Sequence, residues 1–349
     1  MQNKTPKIVG YWLLLGAVLV VTMVVIGGIT RLTQSGLSIV EWKPISGIVP
    51  PLSTQDWMVE FNSYKTSPEY LKSNSHFSLD DFKSIFWWEF IHRFIGRLIG
   101  FVFLIPFIWF YITKKITSKI LFRNLVIIFL LGGLQGFIGW FMVKSGLVNR
   151  PSVSHYRLAL HLSTALFLVG YILWTALPII APRIKKAPFF PKLHKKLKIL
   201  LALVSFQILY GAFTAGLKAG YMYPSYPKMG ADWLPLSGVE AFQDLGVLAL
   251  FEDPVLVQFI HRWLAVVVVL FFVNFFLSAR KENLSILQKK CATLLIWAIA
   301  LQFFLGVFTL IYAVPVSLGV LHQLGAVIVL VALISALYSY RSFRAIQSN

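Results

Sequence analysis

The sequence contains a single cysteine and few acidic residues. Cys291 is the only thiol among 349 residues, so no disulfide can form within the chain, and we interpret it as a small hydrophobic residue. Only 13 Asp and Glu stand against 32 Lys and Arg, and charged residues make up 13% of the chain, compared with roughly 25% in soluble domains. Together with an apolar content of 58%, this shortage of charge excludes an ordinary soluble globular protein.

Long apolar runs take the place of the missing charge. Eight of them can cross the roughly 30 Å hydrocarbon core of a bilayer as helices of about 20 residues. The predicted spans are residues 9–29, 85–112, 124–143, 155–180, 197–216, 255–277, 291–313 and 316–339. The sequence therefore predicts an all-α integral membrane protein with eight transmembrane helices. We interpret the first run as a permanent span, because it exceeds the apolar part of a secretory signal and no A-x-A-like site follows it.

The net charge of +19 is distributed unevenly among the predicted loops. If the N-terminus is cytoplasmic, the cytoplasmic segments hold 19 Lys or Arg and one acid, whereas the external segments hold 10 basic and 11 acidic residues. Because Lys and Arg are enriched in cytoplasmic loops, both termini are predicted to lie on the cytoplasmic side of a bacterial plasma membrane. The basic residues then face lipid headgroups, and no nucleic-acid partner is expected.

An internal repeat relates the two halves of the chain. Residues 27–30 (GGIT) correspond to residues 211–214 (GAFT), and residues 134–139 (LQGFIG) correspond to residues 301–306 (LQFFLG). Each half contains four predicted spans, so both halves enter the membrane from the same side. This pattern predicts two four-helix bundles related by a pseudo-twofold axis along the membrane normal.

The predicted division is residues 1–190 and residues 191–349, each with one long external loop. We interpret these loops as caps over the outer ends of the bundles: the first cap is residues 30–84 and the second cap is residues 217–254. Ser67 and Ser78 of the first cap stand in N-capping sequences, which predict short helices near residues 67–69 and 78–81.

Four histidines occupy similar positions on the even-numbered spans. They are His92, His161, His261 and His322, and histidine inside a membrane span is costly and usually functional. Each lies six or seven residues from the predicted outer end of its helix, or about 10 Å at 1.5 Å per residue. All four side chains are therefore predicted to lie at the same depth, in the outer leaflet.

A small residue follows each of these histidines at the fourth position: Gly96, Ala165, Ala265 and Ala326. Residues four apart share a helix face, so each histidine has room beside it for a flat macrocycle, although small residues also let helices pack closely. One histidine per helix in apolar surroundings favours two bis-histidine heme sites. Zinc, which usually recruits carboxylates or cysteines as well, and purely structural histidines are the alternatives.

The remaining histidines have no counterpart in the repeat. His76 and His194 are predicted to lie in solvated loops. His155 precedes His161 by six residues, near the outer end of the same span, where it is expected to contact a heme propionate or a cap without ligating iron.

Arginine is also present inside the predicted spans, at Arg93, Arg97 and Arg262. A buried arginine must be paired, and a guanidinium binds a carboxylate through two hydrogen bonds. Arg93 and Arg262 are therefore expected to bind heme propionates. Pairing with acidic residues of the caps, or extension to the outer interface, is the alternative.

Glu89 is the only acidic residue within a predicted span. It precedes His92 by three residues and shares its helix face, whereas the second half has Gln258 at the corresponding position. A carboxyl group beside a heme ring can exchange protons near the ring edge, and an amide cannot. The asymmetry predicts chemistry in the N-terminal half and a permanent cofactor in the C-terminal half. A salt bridge from Glu89 to Arg93 is the alternative.

Several motifs together resemble the heme A synthase family, over nearly the whole chain. They are residues 27–38 (GGITRLTQSGLS), 41–47 (EWKPISG), 89–93 (EFIHR), 156–161 (YRLALH) and 259–262 (FIHR). One branch of that family carries a cysteine pair in the first external loop. This sequence has none there, so it resembles the branch without the pair.

The resemblance implies a role for each histidine of the two pairs. His92 and His161 would flank the substrate heme and, with Glu89 at the family's essential acidic position, would form the catalytic set. His261 and His322 would ligate a heme b. All four would then be ligands of heme iron.

The implied reaction is oxidation of the C8 methyl of heme O to a formyl group, giving heme A for terminal oxidases. Implied partners are heme O synthase, terminal oxidase assembly, an unidentified electron donor, the lipid bilayer and a second copy of the chain. A diheme b-type electron-transfer cytochrome and a heme carrier are the rival functions. A transmembrane electron carrier usually stacks its hemes across the bilayer, whereas all four histidines here are predicted on one side.

The charge distribution generates a prediction of topology. Reporter fusions after residues 118, 190, 285 and 345 should report a cytoplasmic location, and fusions near residues 60 and 235 an external one. The predicted cytoplasmic segments, both termini included, hold 19 of the basic residues, and Lys and Arg stay inside. If any fusion reports the opposite side of the membrane, the placement of the histidines in the outer leaflet is contradicted.

Overall fold

The computed structural model describes residues 5–41, 46–144, 152–181 and 188–341. Within them the chain is helical, and the only β-pairing is an isolated bridge between Met229 and Asp232. The helices are α1 (Lys7–Leu32), α2 (Thr54–Lys65), α3 (Leu79–Ile112), α4 (Lys119–Lys144), α5 (His155–Ile180), α6 (Pro191–Gly216), α7 (Leu236–Leu245), α8 (Ala249–Glu252), α9 (Pro254–Ala279), α10 (Ile286–Ile311) and α11 (Val316–Ser339). Residues 42–45 of the second motif lie outside the described residues.

Eight of the described helices are long and apolar enough to cross a membrane: α1, α3, α4, α5, α6, α9, α10 and α11. The predicted all-α membrane fold with eight spans is therefore confirmed. Many outward-facing side chains of these helices are apolar, including Leu98, Phe101 and Ile105 on α3 and Trp297 on α10. Such a surface is stable only in contact with lipid.

The largest corrections to the predicted spans, six residues each, are at the beginnings of α6 and α3. Helix α6 begins at Pro191, whereas the apolar run predicted a start at residue 197. Helix α3 begins at Leu79, whereas the apolar run predicted a start at residue 85. The Ser78 side chain accepts a hydrogen bond from the Asp81 backbone, and Asp81 accepts one from the Ser78 backbone. This capping box adds a polar first turn to the span. The short separate helix predicted at residues 78–81 is therefore wrong.

The four long helices of each half contact one another in the same cyclic order. In the first half, α1 contacts α3, α3 contacts α4, α4 contacts α5 and α5 returns to α1. In the second half, the same order holds for α6, α9, α10 and α11. Each ring encloses its own apolar core, and the first core also includes Val327, Leu330 and Ile334 of α11.

The two halves meet along α1, α5, α6 and α11, through contacts of α5 with α6, of α1 with α11 and of α5 with α11. Polar contacts join these helices at two positions. The Arg31 guanidinium donates to the Ala215 carbonyl at 2.6 Å, and the Gln323 amide donates to the Val24 carbonyl at 2.8 Å. The halves are therefore held together by apolar packing with a few directed hydrogen bonds.

Both caps are helical in part. The first cap contains α2, which begins after the capping residue Ser53 and which the sequence analysis missed, and a π-helical turn at Tyr70–Asn74 near the predicted helix at residues 67–69. The second cap contains α7 and α8. His76 lies in a turn of the first cap, as expected, but His194 lies in the first turn of α6 and not in a loop.

An aromatic cluster joins the first cap to α3. Its buried members are Phe61 and Tyr64 of α2 and Phe82, Phe86 and Phe90 of α3. The Tyr64 and Phe82 rings are stacked with their centres 5.2 Å apart. Because rings of this size bury large apolar areas, the cluster fixes the first cap against the first half.

A buried carboxyl group lies inside this packed region. Glu69 is 6% exposed and accepts a hydrogen bond from the Tyr64 hydroxyl at 3.2 Å. Burial raises the pKa of Glu69 to about 7; Glu89 adds to the increase, and the Tyr64 hydrogen bond and Lys218 oppose it. The first cap thus holds a carboxyl group that titrates near neutral pH.

The titration of Glu69 should make the stability of the first cap depend on pH. Since its folded-state pKa lies above the ordinary carboxyl value, the folded protein holds a proton that the unfolded chain has lost, and stability falls as pH rises from about 5 to above 7. Glu69→Gln should remove this dependence. Thermal unfolding in detergent near about pH 5.5 and about pH 8 measures it.

Asp80→Asn is the matched control, because the Asp80 side chain is 90% exposed. The control should keep the wild-type change of melting temperature between the two pH values. Equal pH dependence in wild type and Glu69→Gln would show that Glu69 is ionised throughout.

Candidate functional site

Three of the four span histidines are held in the same way by the preceding long helix. His161 is held by Gln135 and Gly139 of α4, His261 by Gln207 and Gly211 of α6, and His322 by Gln302 and Gly306 of α10. The glutamine and the glycine are four residues apart each time, so they share a helix face. We call each such pair a Gln–Gly clamp.

The glutamine of each clamp makes the same two contacts. Its Nε2 lies 3.1 Å from Nδ1 of the histidine and donates to the backbone carbonyl of that histidine at 2.9 to 3.0 Å. The contact fixes the ring orientation, as contacts behind a metal-binding histidine generally do; in His161 and His261 the same amide nitrogen also lies 3.4 and 3.5 Å from Nε2.

The glycine of each clamp lets the imidazole ring approach the helix backbone. A Cβ atom placed on Gly139, Gly211 or Gly306 would lie 3.0, 3.1 or 2.9 Å from Cε1 of the clamped histidine. Any side chain there would displace the ring. The sequence analysis recognised two of these segments as parts of a repeat but missed their contact with histidine; the recurring Gln-x-x-x-Gly spacing was the available signal.

The histidines of the C-terminal half face each other. The ring centres of His261 and His322 are 6.4 Å apart, and the rings are nearly perpendicular, at 89°. Two metal–imidazole bonds of about 2 Å each, together with the distance from each ring centre to its ligating nitrogen, account for this separation. The pair therefore fits axial ligation of one iron between two histidines.

The surroundings of this pair suit heme better than zinc. Within the described residues, no group of three or more His, Cys, Asp and Glu side chains could hold a metal ion, which disfavours a tetrahedral zinc site. Arg262, next to His261, is buried and its Nε has no hydrogen-bond partner. An unpartnered buried guanidinium nitrogen can receive a carboxylate, and heme carries two.

The N-terminal pair differs from the C-terminal pair in one member. His161 has a complete clamp. His92 contacts Gly27 of α1, but the position four residues earlier is Met23. Among the described residues no hydrogen bond to the His92 ring is present. His92 is thus the one span histidine without a clamp.

Arg93 and Arg262 both bind backbone carbonyls of the cap in their own half. Arg93 donates to Ile39 at 3.0 Å and, at a longer 3.4 Å, to Glu41. Arg262 donates to Ser225 at 2.7 Å. Propionate pairing was the expectation for both arginines; the geometry gives them a further role, because each guanidinium joins a histidine-bearing helix to its cap.

Glu89 completes the junction between α3 and the first cap. One carboxylate oxygen accepts from the Ser38 hydroxyl at 2.7 Å and from the Ile39 backbone at 2.9 Å, and the other accepts from Arg93 at 2.6 Å. Glu89 is buried, and the salt bridge to Arg93 that the sequence analysis left as an alternative is present. Gln258 is also buried, but its amide donates weakly to the Tyr223 carbonyl at 3.4 Å.

The first motif shapes the chain that reaches Glu89. After α1 the backbone turns at Gln34, whose φ is +52°. The Thr33 and Ser35 hydroxyls are 2.7 Å apart, and Ser38 donates to the Ser35 carbonyl at 3.2 Å. These local bonds present Ser38 and Ile39 to the carboxylate.

His155 lies at the beginning of α5, as expected for a residue near the end of its span. Its Nε2 is 3.9 Å from a Glu252 oxygen, and the Tyr156 hydroxyl donates to the other oxygen at 2.7 Å. These residues line a cavity of about 390 Å³ between α5, the end of α6 and the second cap. His155 therefore contacts the cap, which was one of its two expected partners.

The chain is similar to known proteins over most of its length. Residues 10–334 match the family model COX15-CtaA, described as cytochrome oxidase assembly protein. The chain is 44% identical to a heme A synthase of Flavobacterium psychrophilum over 329 residues, which cover 94% of this chain and 96% of that protein. It is 44% identical over 337 residues to a heme A synthase of Rhodospirillum centenum, covering 96% and 89%. The matched region includes all four span histidines, Arg93, Arg262 and Glu89. The chain therefore belongs to the COX15-CtaA family of cytochrome oxidase assembly proteins.

Proposed function

We propose that this protein is a heme A synthase, which oxidises the C8 methyl of heme O to a formyl group in its N-terminal half. The observation that carries the proposal is the unequal repeat: two similar histidine pairs are present, but only the first lies beside a buried carboxylate, Glu89. An electron-transfer cytochrome needs no such difference between its halves. Relatives of nearly full length bear the name heme A synthase.

The two halves are proposed to be four-helix bundles related by a pseudo-twofold axis, divided at residues 190 and 191. The shared cyclic order of helix contacts supports this arrangement. So does the interface, because exchanging each helix for its counterpart converts the α1–α11 contact into the α6–α5 contact, and both are present. One active centre and one cofactor centre then lie side by side near the outer surface of a bacterial plasma membrane.

The C-terminal half is proposed to hold heme b between His261 and His322. The clamps orient both rings, and Arg262 offers its unpartnered Nε to a propionate. When bound there, heme b would supply single-electron transfer.

The N-terminal half is proposed to bind heme O between His92 and His161, with Glu89 and Arg93 at the first cap. The reaction takes place at the ring periphery, so axial histidines need not block it. Glu89 places a carboxylate one helical turn from His92 and fastens residues 38 and 39 over it. In this position it can hold the substrate edge against the cap and accept a proton from the reacting carbon or alcohol.

Partners follow from the same proposal. Heme O synthase would supply the substrate, molecular oxygen would be the oxidant, a terminal oxidase under assembly would receive the product, and an electron donor of unidentified chemistry would reduce heme b. Both termini are proposed to be cytoplasmic. The rival cytochrome and carrier functions predict bound heme without conversion, which distinguishes them experimentally.

Loss of either C-terminal ligand should remove the resident heme. His261→Ala or His322→Ala should abolish the sharp low-spin α-band of the reduced protein, because each histidine supplies one axial ligand. His194→Ala, in the first turn of α6, is the control and should keep the band. An unchanged spectrum and heme content in both ligand variants would contradict the assignment of heme b.

Replacement of Glu89 should stop the conversion. With heme O synthase co-expressed, wild type should yield heme A on chromatography of extracted hemes. Glu89→Gln should reduce heme A by about 10²–10⁴-fold, as for a lost general acid–base group, while heme b content stays constant. The reciprocal Gln258→Glu should create no second active site.

Ser38→Ala separates the chemical role of Glu89 from its role in holding the cap, because it removes one cap contact and keeps the carboxylate. It should cost much less heme A than Glu89→Gln. Equal losses would make Glu89 a structural residue, and heme A at the wild-type level in Glu89→Gln would refute its part in the reaction. Bound heme O without heme A in the wild type would refute the proposed function itself.

A further inference from the structure

Met23 occupies the place that a clamp glutamine occupies on the other three helices. The repeat aligns Gly27 with Gly211, so Met23 aligns with Gln207. Gly27 still lets His92 approach α1 closely: a Cβ atom on it would lie 3.3 Å from the ring. Only the amide is missing. A thioether cannot donate a hydrogen bond and is at most a weak acceptor.

The His92 ring is also turned differently from the clamped rings. The atom nearest to a Cβ on Gly27 is Nε2 of His92, whereas the atom nearest to the corresponding glycine in each clamp is Cε1. In the clamped rings Nε2 lies 3.7 to 3.9 Å from that point. The ring nitrogen that serves as ligand elsewhere therefore lies against α1 in His92.

We propose that the missing clamp makes His92 the exchangeable ligand of the N-terminal pair, while His161 is the fixed ligand. Rotation of the His92 side chain would form and release its bond to the iron of the substrate heme. The inference rests on the proposed function. It adds that the axial position on the His92 side of the heme O iron is the one that opens. It assigns to Met23 a positioning role that acts only through His92.

The difference between the two halves supplies the physical reason. A resident heme must stay bound, and contacts behind both histidines keep their nitrogens directed at the iron; loss of such contacts typically lowers metal affinity by about 10- to 100-fold. A substrate heme must enter, react and leave in every cycle. Two clamped histidines would hold the product as firmly as the cofactor, whereas one clamped histidine orients the heme and one free histidine lets it depart.

Met23 and glutamine have side chains of nearly equal length, so the clamp can be completed by one substitution. Met23 lies beside Gly96 of α3, with 3.6 Å between its Cε and a Cβ on that glycine, and a glutamine there needs little repacking. Met23→Leu is the matched control, because it also removes the sulfur but adds no amide. Gln302→Met is the reciprocal change, which opens the clamp on His322.

Carbon monoxide is the probe, because it binds reduced heme iron only where an axial position opens. The holoprotein is purified from cells with heme O synthase, reduced and titrated with carbon monoxide, and the bands of heme b and of heme O or A are followed separately. We expect carbon monoxide to bind the heme O or A of the wild type and of Met23→Leu, but not heme b. Met23→Gln should weaken that binding by about 10-fold or more, and Gln302→Met should let carbon monoxide bind heme b.

Three results would overturn the inference: equal carbon monoxide binding in Met23→Gln and Met23→Leu, binding at both hemes of the wild type, or no binding at either. If Met23→Gln does not fold, Gln302→Met still tests whether a clamp closes the axial position. Recovery of heme O without any heme A from the wild type would refute the proposed function. The carbon monoxide pattern does not depend on conversion of the heme and would still test which histidine is exchangeable.

Discussion

The contact between a histidine on one membrane span and a glutamine and a glycine on its neighbour is the constraint on which the rest of the site depends. A neutral imidazole inside a membrane has two polar nitrogens to satisfy, and leaving either unpaired is costly. The glutamine engages Nδ1 at 3.1 Å, and the glycine permits the approach. The ring orientation of the three clamped histidines follows from this one arrangement.

The caps depend on the same helices. Arg93 and Arg262 each follow a span histidine directly and bind the backbone of a cap, so the site and its cover are positioned together. The halves differ in the group beside each arginine. Glu89 accepts hydrogen bonds from the first cap, whereas Gln258 donates to the second. The first half therefore has a carboxyl group at this position and the second half an amide, and the missing clamp at Met23 lies in the half with the carboxyl group.

Hydropathy and spacing predicted the parts of the fold that depend on single helices. The eight spans, the four histidines and the unequal pair Glu89 and Gln258 could all be found in the sequence, because each is a property of residues along one helix. The start of α3 was misplaced because its first turn is polar and is stabilised by the Ser78 capping box. The clamps were missed because the Gln-x-x-x-Gly spacing marks one helix face but not the side chain that it contacts, which depends on the relative rotation of two helices. The orientation of the His92 ring was missed for the same reason, because it also depends on a contact between two helices.

A permanent heme in the C-terminal half and an exchangeable heme in the N-terminal half are the central proposal. The most direct test is the heme stoichiometry and electron paramagnetic resonance spectrum of protein purified from cells that lack heme O synthase. We expect a single low-spin, bis-histidine heme b per chain, which is lost in His322→Ala and retained in His161→Ala. Two equivalent low-spin hemes per chain, each removed by replacing a ligand of its own half, would show that both halves hold resident cofactors and would refute the proposal.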